Sequence, residues 1–465
     1  MQYPLSEKTF CVRTFGCQMN KHDSERICGT LEALGALPVE TYDEADIVIF
    51  MTCCVREAAD VRLMGQVASL KNLPLRPNAP VEKRIIAVGG CIGQRDGEKL
   101  VESLPHLDVV FGTHNLASLP QLLERVLTFG GHQVEVKEES TQFPTDLPSD
   151  REHAWAAWLP ITIGCNNFCT YCIVPYVRGR EKSRSLEDII SEAKALVDSG
   201  VKEITLLGQN VNSYGRDLYG EPRFAKALDA VHESGIERIR FATSHPKDLS
   251  DEVIKRFATL PHLMPALHLP VQSGSNRMLE AMNRGYTREH YLELIEKVRN
   301  ACPGIALSSD IIVGFPGETE QDFQDTYDLV KQVGYNQVFT FIYSKREGTP
   351  AATMQDDTPH EVIQERFDRL LKLVQDQAWK KNQADQDTIV EVLVEGASKR
   401  DPHVLSGRSP RNQTVHAAIP HTLSANALAG TLVSVHITEA KTWYLTGEII
   451  DGLPPVESDG NESVR

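Results

Sequence analysis

The chain has 465 residues, a net charge of −16 and a globular composition, with 41% hydrophobic and 24% charged residues. This length exceeds one ordinary hydrophobic core, so we expect two to four domains. No stretch approaches 18 uncharged apolar residues, and the N-terminus lacks an apolar core of signal-peptide length, which predicts a cytoplasmic protein without a membrane anchor. The acidic balance excludes broad, non-specific nucleic-acid binding but permits a local basic surface that reads a folded RNA.

Residues 1–130 alternate between short apolar runs rich in β-branched residues and segments with helical periodicity. This alternation predicts an N-terminal parallel α/β sheet domain. The segment 131–153 is polar, contains two prolines and is predicted to be a linker. The predicted strands of the sheet are TFCVRTFG, ADIVIFMT, RIIAVGG and LDVVFGT.

The alternation resumes in residues 154–385, which contain six predicted strands and end in a long charged helix at about 359–385. Six βα units favour a partial, six-stranded relative of the TIM barrel, and an open doubly wound sheet is the alternative. The six strands are AWLPITIG, KEITLLGQ, RIRFATS, ALHLPVQ, IALSSDIIVGF and NQVFTFIYS.

Residues 386–450 consist of short strands and turns, which predict a small β-barrel. Between 391 and 448 five basic residues balance five acidic ones. This part of the chain is therefore the least repulsive to a polyanion, although an ordinary neutral β-domain explains the balance equally well. The tail 451–465 is acidic and rich in proline and glycine, so we expect it to be disordered.

A compact cysteine triplet, Cys165, Cys169 and Cys172, follows the first strand of the central domain. Thiolates at this spacing can hold three irons of a cubane cluster on one loop, leaving the fourth iron open to a small molecule. A four-cysteine zinc site normally has two Cys-x2-Cys pairs, which this loop lacks. Three buried structural thiols are the remaining alternative.

Three further cysteines, Cys17, Cys53 and Cys91, each lie at the end of a predicted N-terminal strand. Because the carboxyl ends of parallel strands meet at one edge of a sheet, we expect these thiols to converge and hold a second cluster. The alternative is packing in the core. Cys54 competes with Cys53, but adjacent residues at a strand end point in opposite directions, so only one of them can face the site.

The compact triplet, with Tyr171 before its last cysteine, resembles that of the radical S-adenosylmethionine (SAM) superfamily. With TFGCQMN, TCCVRE and GGCIGQ before it, the chain resembles the methylthiotransferase family of radical SAM enzymes, and 386–450 resembles the family's TRAM domain. GCQMN, LLGQNVNSYG and HLPVQSGS are most similar to its tRNA-modifying branch. One departure is Met51 before Thr52 and Cys53, where the family usually has asparagine.

This resemblance implies two [4Fe-4S] clusters, auxiliary at Cys17, Cys53 and Cys91 and SAM-binding at the compact triplet, with no catalytic residue beyond these ligands. It also implies two roles for SAM. One SAM methylates a sulfur, and a second SAM yields a radical that takes hydrogen from C2 of an adenine in the substrate. The SAM contacts implied are Tyr171, Gln209, Ser244, Gln272 and Asp310. The candidate RNA contacts are Arg178, Arg180, Arg408, Arg411 and Asn412. Ordinary helix caps, surface ion pairs and solvated turns are the alternatives for these ten positions.

The implied reaction adds a methylthio group to C2 of isopentenyladenosine at position 37 of tRNA. The expected partners are the tRNA anticodon stem-loop, a flavodoxin-like or ferredoxin-like electron donor and a sulfur donor, acting on a monomer. Alternative substrates are threonylcarbamoyladenosine of tRNA and a ribosomal-protein aspartate. A non-catalytic iron–sulfur RNA-binding protein is the alternative of another class.

Overall fold

A computed structural model describes residues 4–54, 57–138, 143, 147–420 and 422–453. The N-terminal part is a six-stranded parallel sheet in the order β2-β1-β3-β4-β5-β6. The central strands β3 and β4 are buried along their whole length, as expected for parallel strands that helices cover on both faces. The elements are β1 Thr9–Thr14, α1 Gln18–Ala33, β2 Leu37–Pro38, β3 Ile47–Thr52, α2 Glu57–Ser69, β4 Ile85–Gly90, α3 Cys91–Asp96, α4 Glu98–Ser103, β5 Val109–Phe111, α5 Leu119–Phe129 and β6 Gln133–Glu135, with 3₁₀ turns at Leu70–Asn72 and Leu116–Ser118.

The segment 131–153 takes part in this domain where it is described. Strand β6 pairs with β5 and extends the sheet past residue 130. The later part runs along α1, where Asp150 donates its backbone N–H to the Glu25 carbonyl at 3.0 Å. The region predicted as a linker therefore includes an edge strand.

The central domain contains six parallel strands, β7 and β10 to β14, as the sequence predicts. They form two three-stranded sheets, β11-β10-β7 and β12-β13-β14, and a parallel bridge joins Ile239 of β11 to Leu263 just before β12. The strands follow one another in chain order without the reversal of a doubly wound sheet, so the partial barrel is confirmed. Their main hydrophobic core lies between the strands and the surrounding helices.

This domain includes two short strands that flank the cysteine loop, and it ends with a 24-residue helix. They are β7 Ala156–Pro160, β8 Thr162–Ile163, α6 Val174–Val177, β9 Lys182–Ser183, α7 Leu186–Asp198, β10 Glu203–Leu207, α8 Arg216–Tyr219, α9 Phe224–His232, β11 Arg238–Phe241, α10 Asp251–Thr259, β12 Ala266–His268, α11 Asn276–Ala281, α12 Arg288–Ala301, β13 Ala306–Val313, α13 Glu320–Val333, β14 Gln337–Ile342 and α14 His360–Gln383, with 3₁₀ turns at Val211–Ser213, Pro246–Asp248 and Pro350–Thr353.

The C-terminal domain is a closed barrel in the order β15-β16-β17-β19-β18, which confirms the small β-barrel. Its strands are β15 Ile389–Ala397, β16 Val404–Arg408, β17 Thr414–Ala418, β18 Leu432–Ala440 and β19 Tyr444–Asp451. The predicted disordered tail falls, from residue 454 onward, outside the described residues. No helix in the described part of the chain is both long enough and apolar enough to cross a bilayer.

Candidate functional site

The first cysteine triplet lies on one edge of the N-terminal sheet. Cys17 follows β1, Cys53 follows β3, and Cys91 is the first residue of the helix after β4. These strands are direct neighbours in the parallel sheet, so their carboxyl ends meet at the same edge. Cys17 is exposed, whereas Cys53 and Cys91 are buried. The triplet therefore lines a site that opens to solvent beside Cys17.

Two glycines allow these strand ends to approach each other. A Cβ atom on Gly16 would lie 2.1 Å from the Cβ of Cys53, and Gly16 has a φ of +117°. A Cβ atom on Gly90 would lie 2.7 Å from the carbonyl oxygen of Thr52, at a φ of +87°. Glycine alone tolerates both the backbone conformation and the close contact at these two positions.

The thiols of this triplet interact with one another. A hydrogen bond from Cys53 lowers the pKa of Cys17 to about 5, and the charge of Arg178 acts in the same direction against the effect of burial. A hydrogen bond from Cys54 lowers the pKa of Cys91 to about 7, again against burial. The site therefore stabilises the thiolate, which is the form that ligates metals.

The adjacent cysteines Cys53 and Cys54 occupy different environments. Cys53 lies against Gly16, beside Cys17. Cys54 is fully buried in the hydrophobic core, where its hydrogen bond with Cys91 and its burial raise its pKa. Cys53 therefore lies within the triplet, next to Cys17, whereas Cys54 contacts the triplet through Cys91 from the hydrophobic core.

Arg178 also belongs to this site. Its side chain is only 4% exposed, and its guanidinium donates to Asn20 Oδ1 at 2.8 Å and to Asp23 Oδ2 at 3.1 Å. Both acceptors lie on α1, the helix that Cys17 precedes. This location differs from the prediction of an RNA contact, because a guanidinium buried and paired within the protein cannot reach a phosphate.

The second cysteine triplet lies on the loop after β8, which backbone hydrogen bonds hold in place. Cys165 donates its N–H to the Gly179 carbonyl at 3.1 Å, and Cys172 donates to the Cys169 carbonyl at 2.9 Å. Thr170 donates to the Met282 carbonyl at 3.1 Å, which ties the loop to the end of α11. The three thiols therefore share one rigid loop, as their spacing predicts.

Arg284 is the charged group nearest to the second triplet. It donates to the Cys169 Sγ and to the Tyr171 hydroxyl, both at 3.3 Å, and to the Pro270 carbonyl at 2.8 Å. Burial raises the pKa of Cys165 to about 11 and that of Cys172 to about 12, and the charge of Cys169 reinforces the increase. Cys165 and Cys172 therefore favour the neutral form until a metal displaces their protons.

The segment that follows the second triplet packs into the hydrophobic core of the N-terminal domain. Ile173, directly after Cys172, is buried in the same hydrophobic cluster as Cys54 and Cys91. Val177, at the end of the short helix that follows, belongs to this cluster too. The loop of the second triplet thus packs directly onto the domain that carries the first.

The strand ends near the second triplet carry buried polar atoms with no hydrogen-bond partner among the described residues. They include Thr162 Oγ1, Asn210 Oδ1, Asn212 Nδ2, Ser244 Oγ and His245 Nε2. Unpaired buried polar atoms are costly, so such a group indicates a site that a polar ligand completes. Ser244 is the predicted contact in this group, whereas Gln209 Oε1 accepts from the Gly164 N–H at 2.5 Å on the cysteine loop.

The remaining predicted SAM contacts lie on the other half of the barrel and on the loop itself. Gln272, at a φ of +71°, donates its N–H to the Asp310 carbonyl at 2.9 Å, so these two positions are adjacent. The Asp310 carboxylate lies 3.6 Å from the His268 ring. Tyr171 packs against Phe315 and Met282 below the loop. The five predicted positions thus fall on both halves of one partial barrel.

The other four predicted RNA contacts differ in their exposure and in the groups that they contact. Arg180 is exposed, and its guanidinium stacks 4.4 Å from the Phe168 ring on the cysteine loop. Arg408 is half-buried and pairs with Glu395 at 3.1 Å. Arg411 pairs with Asp385, and Asn412 is exposed at a φ of +65°.

The loop that carries Arg408 and Arg411 packs against the central barrel. Arg238 donates to the Arg408 carbonyl at 3.0 Å, and Arg240 donates to the Ser409 carbonyl at 2.9 Å. Part of the predicted RNA loop therefore docks the C-terminal domain instead of facing solvent. Arg238 and Arg284 were not singled out in the sequence, because a single arginine beside a strand carries no local signal of a long-range contact.

The donor set fits two cubane clusters better than a single ion. In the described residues, no three cysteine, histidine or carboxylate side chains converge on one metal position. A cubane does not require such convergence, because each thiolate binds a different iron. Each triplet supplies three thiols, which matches a cluster with one open iron, and the orphaned polar atoms beside the second triplet match a polar ligand on that iron.

Three family models match the chain. They are described as Uncharacterized protein family UPF0004 at residues 9–112, Radical SAM superfamily at 159–330 and TRAM domain at 386–450. The radical S-adenosylmethionine methyltransferase TsrM from Kitasatospora setae is similar in fold, with a TM-score of 0.52 and 12% identity over 74% of this chain and 77% of that one. The class defined by fold and cysteine loop is therefore a radical SAM protein.

Curated relatives narrow this class. The tRNA-2-methylthio-N(6)-dimethylallyladenosine synthase of Carboxydothermus hydrogenoformans is 48% identical over 450 residues, which cover 96% of this chain and 100% of that protein. The synthase of Thermoanaerobacter pseudethanolicus is 49% identical over 95% and 92%, and that of Streptomyces avermitilis 48% identical over 96% and 87%. The chain belongs to this family of radical SAM methylthiotransferases.

Proposed function

We propose that this protein adds a methylthio group to C2 of isopentenyladenosine at position 37 of tRNA. The observation that carries the proposal is the pair of cysteine triplets, joined by a segment after the second triplet that packs into the hydrophobic cluster containing Cys91, in a chain with the family's three domains. C2–H is neither acidic nor a good leaving group, so a general base or simple methyl transfer cannot activate it. A second sulfur-bearing site next to a radical source meets this chemical need.

The proposed ligands of the auxiliary [4Fe-4S] cluster are Cys17, Cys53 and Cys91, and those of the SAM-binding [4Fe-4S] cluster are Cys165, Cys169 and Cys172. When bound, the second cluster and SAM supply a carbon radical that can take hydrogen from an unactivated C–H bond. The protein's part is to hold both sites in fixed relation and to exclude water from the radical.

The proposed SAM pocket uses the polar strand ends of the barrel. Ser244 Oγ and His245 Nε2 are buried and free to bond a ligand, while Gln209 anchors the cysteine loop at its Gly164 N–H. His245 is neutral because burial, together with the charges of Arg284 and Lys247, lowers its pKa well below the usual value. Its Nδ1 accepts from the Lys247 N–H at 3.2 Å, so its Nε2 carries the proton and can donate to SAM. Tyr171, Gln272 and Asp310 complete the proposed contacts.

The proposed RNA surface includes Arg180, next to the SAM-binding loop, and Arg408, Arg411 and Asn412 on the C-terminal barrel. Arg180 is exposed and close to the reaction site, which suits a phosphate of the anticodon stem-loop. The external electron donor, the sulfur donor, a monomeric state and a cytoplasmic location stay predictions. We also propose domain boundaries at residues 130, 153, 385 and 450, with strand β6 as the part of segment 131–153 that joins the N-terminal sheet.

The proposal is tested by purifying the protein under strict anaerobiosis and counting iron. We expect about eight irons per chain, and about four after Cys17, Cys53 and Cys91 are changed together to alanine. Cys302→Ala is a matched control, since this half-buried cysteine lies outside both triplets. About four irons in the unmodified protein, unaffected by the triple change, would contradict the two-cluster assignment.

The substrate is tested by mass spectrometry of tRNA nucleosides from a deletion strain, with and without the gene restored. We expect 2-methylthio-isopentenyladenosine to disappear and return. Loss of a 2-methylthio derivative of threonylcarbamoyladenosine instead would assign the chain to the alternative substrate. Cys169→Ala should abolish 5′-deoxyadenosine formation, and continued SAM cleavage by this variant would exclude the proposed radical source.

A further inference from the structure

Arg178 joins the two cysteine sites. It lies six residues after Cys172 on the chain, yet its guanidinium is buried in the N-terminal domain against Asn20 and Asp23. The same guanidinium interacts electrostatically with the thiols of Cys91 and Cys17. A residue of the radical SAM domain thus places a permanent positive charge beside the auxiliary triplet.

The backbone on either side of Arg178 is fixed to both domains. The Val177 carbonyl accepts from Thr113 Oγ1 at 2.7 Å, which ties it to the N-terminal domain. The Gly179 carbonyl accepts from the Cys165 N–H at 3.1 Å, which ties it to the second triplet. A displacement of either triplet therefore moves Arg178 relative to the other.

We propose that Arg178 is a positioning residue of the auxiliary cluster, where its charge stabilises the reduced form and its hydrogen bonds fix the cluster relative to the second triplet. This inference rests on the proposed function, because it requires a cluster at Cys17, Cys53 and Cys91. A buried cation favours the more negative of two redox states, and the reduction potential of an iron–sulfur cluster follows its charge, hydrogen bonds and exposure.

A purely structural role for Arg178 predicts a different outcome. As an ion pair between domains, Arg178 and Asp23 would stabilise the fold without changing the electronic properties of a nearby cluster. Arg26 provides the matched control for that role. Arg26 lies on α1, the helix that also carries Asp23. It is buried and pairs, at 2.6 Å, with Glu192, so this ion pair also joins the N-terminal and central domains. It is nine residues from Cys17, or about 13 Å along the helix.

The experiment uses the full chain with Cys165, Cys169 and Cys172 changed to alanine, so that only the auxiliary cluster contributes a signal. After anaerobic reconstitution, the iron content and the midpoint potential are measured by a redox titration monitored by electron paramagnetic resonance. The variants compared in this background are R178M, R178K and R26M. Circular dichroism confirms that each variant is folded.

We expect R178M to shift the midpoint to more negative potential by at least a tenfold change in the reduction equilibrium, about 59 mV for one electron. R178K should recover most of this shift because it restores the charge, and R26M should match the background. If R178M fails to hold iron while R178K holds it, the requirement for charge is likewise supported.

Three results would overturn the inference. An unchanged potential in R178M, or an equal shift in R26M, would leave Arg178 as a structural ion pair. Loss of iron from both R178M and R178K would exclude a role based on charge. Absence of iron from the background variant itself would instead refute the auxiliary cluster. The failure of the inference and that of the proposed function are therefore distinguishable.

Discussion

Gly16→Ala provides a direct test of how closely the strand ends of the first triplet must approach. The new methyl group would lie 2.1 Å from the Cys53 Cβ. Ordinary carbon–carbon contact is about 3.5 Å, so Cys53 or Gly16 must move by about 1.4 Å. Metal–ligand distances tolerate only about 0.2 Å, and a shift of this size therefore removes Cys53 from the cluster.

The free-energy cost of placing a side chain at a positive φ can be measured separately from the steric overlap with Cys53. Gly130 ends α5 in the same domain with a φ of +67°, and a Cβ atom there would meet nothing within 4 Å. Gly130→Ala therefore has only the cost of a side chain at φ +67° and ψ −163°, a region essentially restricted to glycine, on the order of 1–3 kcal/mol. Gly16→Ala has its own positive-φ cost and, in addition, the overlap with Cys53.

The assay is the iron content after anaerobic reconstitution, together with 5′-deoxyadenosine formation and methylthio transfer to tRNA. We expect Gly16→Ala to hold about four irons and Gly130→Ala about eight. Gly16→Ala should still cleave SAM, because the second triplet is intact, but should form no methylthio product. A Gly16→Ala protein with the full iron content and normal product formation would refute the reasoning.

Three further predictions concern other residues of the site. Cys53→Ala should lose about half the iron, whereas Cys54→Ala should keep it; equal loss in both would mean that both cysteines are required, and retention in both would mean that either can serve as the ligand. His245→Asn tests the lowered pKa: the unfolded chain binds a proton below pH 6.5 that the folded chain does not, so stability falls as the pH decreases. Between pH 7.5 and 5.5 the parent therefore loses about 1.4 kcal/mol more stability than the variant, measured by urea denaturation; identical pH dependence in both would exclude a neutral buried histidine. Arg284→Met should weaken SAM binding in equilibrium dialysis by more than tenfold, since it removes the charge beside Cys169, and unchanged affinity would remove Arg284 from the site.

Part of the site was predictable because its signal is local. The spacing of Cys165, Cys169 and Cys172 places three thiols on one loop whatever surrounds it. Cys17, Cys53 and Cys91 were predictable for a different reason: parallel strands have their carboxyl ends on one edge, so one cysteine at each strand end predicts a cluster of thiols. The structure brings each set together.

Other features depend on contacts between residues far apart in the chain. Arg178 was predicted to meet RNA because it comes just after the second cysteine loop; its acceptors, Asn20 and Asp23, lie more than 150 positions earlier. Gly314 depends on such a contact too. A Cβ there would lie 2.6 Å from the Ile363 side chain of α14, so the glycine makes room for a helix.

The sequence by itself determined the three-domain architecture, the six strands of the central barrel and the two cysteine triplets. Each of these follows from hydrophobic periodicity, from local spacing or from the position of a residue at a strand end. Only the tertiary structure decided how the triplets are related. Docking of the loop around Ile173 and Val177 onto the N-terminal core brings the two sites together and buries Arg178 at the first of them. The physical reason is that burial and charge pairing depend on which surfaces meet, and no local pattern specifies that choice.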